Sequence, residues 1–255
     1  MIRHAIPLLL SLFAVLAAAC LPAHAEERRE VRLVAGEWPP YSMEYMPGNG
    51  AAAEIVRAAL EAEDLRGEFA FLPWPRCRLA LDAGDAEASF PWARIPTMEP
   101  AFLFSDPILQ SRCVFFYRRD RLKDFDFTGL KDLKGYIVSG NLGYFYETDF
   151  RKADLRMDWG YGDEHAFRKL ERGWVDLAPQ SEAVGWFLIR KLFPGREYEF
   201  AATHTPLTVT TLHVIAPRSS PGAEPLIQTV NRGLAAIRAN GTFARILERY
   251  GIEEQ

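Results

Sequence analysis

FLPWPRCRLALDAGDAEASFPWARIPTMEPAFLFSDPIL, residues 71–109, carries the strongest pattern in the chain. Pro75 suits a first helical turn, where no backbone N–H is needed. Cys77, Ala80 and Leu81 then share one face, and Gly84 supplies a left-handed stop. The spacing predicts a short amphipathic helix. Asp85 opens a strand of small residues over 86–90, which the chain leaves through Pro91, Trp92, Ala93 and Arg94 into a long loop ending in Phe104, Ser105, Asp106 and Pro107. In open α/β sheets, ligands bind beyond the carboxyl ends of strands, which is where these aromatic and basic residues fall.

Working outward, 31–35 is strand-forming and breaks at Glu37, Trp38, Pro39, Pro40 and Tyr41, whose prolines fix an extended loop. Ile55, Ala59 and Ala62 line a helix expected to end near Gly67, and a strand over 68–72 delivers Trp74. This is a βαβαβ half, the core of one lobe. The run CVFFY at 113–117 reads as a strand crossing to a second lobe. There the pattern predicts a strand over 136–139, a helix from Tyr144, a strand near Met157 and a helix over 164–171 behind an Asp163 cap. A strand over 174–178 follows, then a helix carrying Val184, Phe187 and Leu188 behind a Ser181 cap. A strand over 208–215 returns to the first lobe, where helices at 223–239 and 242–250 pack back. The fold class is therefore α/β, with discontinuous lobes at 26–112 plus 214–255 and at 118–207. The hinge strands are 113–117 and 208–213.

Bulk properties narrow the function. A 49% hydrophobic content is enough for real cores, and the formal net charge of −4 has the wrong sign for a nucleic-acid partner. Residues 1–25 combine Arg3, an apolar run over 5–19 and Ala23-His24-Ala25, the pattern of a secretory signal peptide cleaved after Ala25. Cys20 offers the alternative of a lipid anchor. No second apolar segment approaches the roughly 20 residues needed to span a bilayer. An exported, periplasmic protein is expected.

Cys77 and Cys113 remain after leader removal. In an oxidising compartment they would either form a disulfide, which stabilises by about 3 to 4 kcal/mol on the chain-entropy model, or stay as two buried thiols. His165, His204 and His213 have no metal-ligand spacing, and HExxH, paired CxxC and GxSxG motifs are missing from the sequence. Gly140-Asn141-Leu142-Gly143 before a helix looks like a backbone cradle for an anion, but lacks the lysine and hydroxyl of a nucleotide loop. Neither a metal nor a cofactor is expected.

The order of tryptophan, short helix, Gly-x-x-Asp/Glu, strand and Phe-Ser-Asp-Pro is joined by VRLVAGEWPPYS at 31–42, LKDLKGYIVSGNLG at 130–143 and VNRGLAAIRANGTFARILERY at 230–250. Together they resemble the amino-acid-type periplasmic solute-binding proteins of ABC importers, solute-binding family 3. The resemblance implies a bilobed type II periplasmic-binding-protein fold and a monomer that closes on a small-molecule ligand. It implies a permease at the inner membrane as partner, and no catalysis. Two alternatives share the scaffold. One is a periplasmic enzyme similar to cyclohexadienyl dehydratases, with Glu37 or Glu182 as general acid. The other is a soluble ligand sensor.

Carried across residue by residue, the resemblance implies first-lobe ligand contacts from Glu37, Trp38, Tyr41, Trp74, Trp92 and Arg94. Second-lobe contacts would come from Asn141, Leu142, Gly143, Gln180 and Ser181. Plain core is the competing reading of Tyr41, Trp74 and Trp92. Two departures bear on the ligand. Relatives that bind α-amino acids place an arginine seven residues before the serine of Phe-Ser, which here is Met98. They place an aspartate five residues after the Gly-x-x-Asp aspartate, which here, counted from Asp176, is Ser181. Arg94 could replace the first hook, and Glu182 or Glu37 the second. Otherwise the ligand is not an ordinary zwitterionic amino acid but a small polar solute, cationic or ring-bearing, on aromatic platforms.

Overall fold

A computed structural model describes residues 28–253. The leader, its cleavage point after Ala25 and Cys20 lie outside the described residues. Strand β1 (Glu30–Ala35) sits between β2 (Arg66–Phe71) and β3 (Ala88–Ala93), parallel to both. Helices α1 (Ala51–Glu61) and α2 (Trp74–Ala83) make the crossovers. Helix α1 stops short of the expected Gly67, because Asp64 adopts φ 55° in the turn and Gly67 already belongs to β2.

The sheet continues through two long strands. β5 (Leu109–Arg118) and β10 (Thr208–Pro217) pair antiparallel, from Thr208 opposite Cys113 to Leu212 opposite Leu109. Both run past the expected hinge segments. β10 also pairs with β3, placing His213 opposite Trp92 and Leu212 opposite Ala93. Strand β3 therefore does not end at Phe90. Its register against β10 slips between His213 and Ile215, so Pro91 falls at a bulge, where a missing N–H costs no ladder bond. The short β4 (Phe102–Phe104) caps the far end of β10.

Beyond the crossover, β5 pairs with β8 (Ala178–Ser181) and β9 (Phe200–Ala202). β6 (Ile137–Asn141) and β7 (Arg156–Gly160) form a parallel pair that touches this sheet where Val138 bridges Leu177. Helices α3 (Glu147–Lys152), α4 (Asp163–Arg172) and α5 (Glu182–Leu192) complete the second lobe. The chain then returns to the first lobe as α6 (Ala223–Ala239) and α7 (Thr242–Tyr250). Val230, Leu234 and Ile237, then Phe243, Ile246 and Leu247, are all buried, as their helical spacing requires. Helix α6 lies so close to α1 that a Cβ on Gly233 would sit 2.0 Å from the Ala59 carbonyl oxygen.

Cys77 and Cys113 are both free and buried, so the possible disulfide is not made. The reason is where each residue packs. Cys77 lies under α2 in a cluster with Val34, Leu81 and Met98, and its thiol donates to the Leu72 carbonyl at 3.5 Å. Cys113 is on a crossover strand, facing the gap between the lobes. Among the described residues no helix is long and apolar enough to cross a membrane.

Candidate functional site: the cleft between the lobes

A cleft of about 470 Å³ opens between the lobes, above the crossover strands. Its first-lobe wall is built from tryptophans. Trp74, at the start of α2, lays its indole over Gly36 at the end of β1, where a Cβ would come within 2.1 Å of the ring. Glycine here is a seat for the aromatic. Trp92 meets Trp74 edge to face, centroids 5.0 Å apart, and is fixed by Nε1 donating to Ser89 Oγ at 2.7 Å. Trp38 projects from a turn closed by its own N–H to the Ser42 carbonyl at 2.7 Å.

The second-lobe wall is the loop after β6. Tyr144, Phe145 and Tyr146 all line the cleft, and the Tyr146 ring stacks on Phe150 of the lobe core, centroids 4.7 Å apart. Behind them stands Asp163, at the start of α4. Its carboxylate accepts from Asn141 Nδ2 at 2.5 Å and from the Tyr144 hydroxyl at 2.9 and 3.1 Å. Burial pushes the Asp163 carboxyl above its ordinary range, and the bonds from Tyr144 and Asn141 oppose that shift without cancelling it. Burial likewise raises the Tyr144 phenol, helped by the neighbouring Asp163 charge, and pushes the Cys113 thiol up to about 12. That thiol is no nucleophile.

Of the residues singled out in the sequence, Glu37, Trp38, Trp74, Trp92, Gln180 and Ser181 line the cleft. The other five lie elsewhere. Tyr41 is buried beneath Trp38, with its hydroxyl 2.9 Å from Ser181 Oγ. Arg94 turns outward, its Nε 2.8 Å from Glu99 and its guanidinium over the Phe104 ring. Asn141 is buried, holding Asp163 from behind. Leu142 donates its N–H to the Gly160 carbonyl, and Gly143 donates to Glu147 at 2.7 Å. The expected anion cradle is thus already filled by a carboxylate of its own helix. Met98, at the position of the missing arginine, is a core residue.

Two expected helix caps also prove to be something else. Ser181 makes no cap bond; its hydroxyl joins those of Tyr41 and Ser111. Gly162 occupies the cap position of α4, which frees Asp163 for the cleft. Glu182, a candidate general acid, lies outside this cleft, beside a smaller cavity and 3.7 Å from Arg112. Sequence reasoning missed Asp163 and the loop 144–146. The signal for the loop was present, since three consecutive aromatics exceed what one face of a short helix can bury. Among the described residues no group of three or more His, Cys, Asp or Glu side chains could hold a metal ion.

The sequence from 32 to 253 matches the family described as bacterial extracellular solute-binding proteins, family 3. Solved structures share the fold. Substrate-binding domain 2 of GlnP from Lactococcus lactis, in its open conformation, superposes with a TM-score of 0.71 at 16% identity, over 90% of this chain and 97% of that one. A histidine kinase sensor domain similar to periplasmic binding proteins gives 0.68 at 20% identity, over 88% and 96%. An ancestral amino-acid-binding protein described as a precursor of cyclohexadienyl dehydratase gives 0.65 at 18% identity, over 88% and 95%. No curated protein matches the chain.

Proposed function

The chain belongs to the bacterial extracellular solute-binding proteins of family 3, and from that premise we propose that it captures a small polar solute, an amino acid or related compound, for an ABC importer. In this reading it is a periplasmic monomer, exported by the leader at 1–25, with lobes at 26–112 plus 214–255 and at 118–207. One observation carries the reading. The aromatic-walled cleft lies between two lobes joined by β5 and β10, so a modest bend of two strands closes it around a ligand. A permease can then distinguish the closed form from the open one.

The test starts with protein purified from its own host. Solute released on denaturation is identified by mass spectrometry and returned to the refolded protein. Saturable binding, a smaller radius of gyration on binding, and loss of uptake when the gene is deleted are expected. Unaltered uptake on deletion overturns the importer role.

A second reading has one observation in its favour. Asp163 holds a half-buried carboxyl, with its proton affinity raised, against the cleft beside a tyrosine, as a general acid for dehydration would need. Incubation with prephenate and with arogenate separates the readings. Unchanged substrate is expected for a binding protein, and an aromatic product would make the protein an enzyme.

A further inference from the structure

The charged residues lining the cleft are Glu37 and Asp163; no lysine, arginine or histidine lines it among the described residues. The nearby bases are engaged elsewhere. Arg94 is held by Glu99, while Arg112 donates to the His204 carbonyl at 2.7 Å and faces Glu182. Helix α5 points its N-terminus toward the cleft but carries Glu182 in its first turn, and α4 begins with Asp163 itself. Two wall residues, Pro91 and Pro179, have no backbone N–H to offer.

A ligand carboxylate entering this cleft would lose its hydration, meet two like charges and find no cation. A positively charged nitrogen meets the opposite situation. It finds the Asp163 carboxylate on one side and the aromatic rings of Trp38, Trp74, Trp92 and Tyr144 around it. Ring faces attract cations, more so when the site is desolvated. From this juxtaposition we infer that the physiological ligand is an organic cation, an amine or quaternary ammonium compound without a carboxylate, whose charge sits between Asp163 and the tryptophan wall.

The inference rests on the solute-binding reading and narrows its substrate class. Two matched sets of probes test it by calorimetry on ligand-stripped protein. The first set is choline, its uncharged isostere dimethylbutanol, and glycine betaine, which adds a carboxylate. The second is phenethylamine, phenethyl alcohol and phenylalanine. In any set that binds, the cation should bind at least about tenfold more tightly than its neutral or zwitterionic counterpart, a difference of about 1.4 kcal/mol.

Asp163→Asn, checked for folding by thermal unfolding, should remove most of that preference. The ordering of probes on the unaltered protein tests the inference even where the variant does not fold. A zwitterion or neutral compound binding as tightly as the cation overturns the inference and leaves the receptor reading standing. If neither set binds, the solute released from host-purified protein decides. A cation without a carboxylate supports the inference, and any other solute overturns it. No bound solute and no response to any probe overturn both.

Discussion

The Tyr41 hydroxyl, carried by the loop after β1, lies 2.9 Å from Ser181 Oγ at the end of β8. This contact ties the first lobe to the second behind the cleft, and Ser111 Oγ on β5 joins it, 3.1 Å from Ser181. Both residues are buried, so water cannot replace the bond. Tyr41→Phe removes the tie while keeping the ring under Trp38. The loss should be about 1 kcal/mol, and Ser181 keeps Ser111 as partner. Thermal unfolding should show a melting temperature lower by roughly 2 to 4 °C, with solute affinity changed less than the stability.

Asp163 makes solute affinity depend on pH. Burial raises its pKa in the empty protein, so near that raised value part of the population is protonated. A bound cation favours the ionised form and lowers the pKa again, so binding expels a proton from that fraction. Affinity for a cation should therefore fall as pH drops through the raised value, and be flat well above it. Calorimetry in buffers of different ionisation heat reads the released proton directly. Asp163→Asn should remove this component of the pH dependence, while Glu37, the other carboxylate lining the cleft, is left in place.

Much of the fold was legible because its elements repeat simple patterns. The buried positions of α6 and α7 follow from helical spacing alone, and Gly84 ends α2 at φ 77° as its position predicts. The site was less legible because its residues also satisfy local rules. Asp163 stands where a helix cap would, and only Gly162 taking the cap position releases it. Gly143 has the geometry of an anion loop, φ 82°, but Glu147 four residues later fills it. Arg94 follows Trp92 by two residues, just past the end of β3, yet local pairing with Glu99 draws it outward. Each outcome turns on a side-chain partner that spacing does not encode.

Arg94 gives the corresponding negative prediction. Its side chain is 55% exposed and paired to Glu99 outside the cleft, an ion pair of the kind that contributes at most about 1 kcal/mol. Arg94→Ala should change solute affinity by less than about twofold, because the guanidinium does not reach the cleft. Titration of the variant with the host-derived solute checks this. A loss of tenfold or more would mean that Arg94 swings inward on closure.

Gly36 and Gly233 separate site from scaffold. A Cβ at either would overlap a neighbour, at 2.1 Å from the Trp74 ring or 2.0 Å from the Ala59 carbonyl oxygen. The neighbours differ in how they can yield. Trp74 is a half-buried side chain at the cleft edge, so Gly36→Ala should push its indole off its seat and break the edge-to-face contact with Trp92. Solute affinity should then drop by about tenfold, the scale of one aromatic contact to a desolvated cation. The Ala59 carbonyl belongs to the α1 backbone and cannot rotate away. Gly233→Ala must instead force α6 and α1 apart, costing about 1 to 3 kcal/mol of stability. Affinity of the folded fraction should stay unchanged, since neither helix reaches the cleft. Paired measurements of melting temperature and affinity on the two variants check the division. Equal losses of affinity in both would show that the tryptophan seat is not what Gly36 provides.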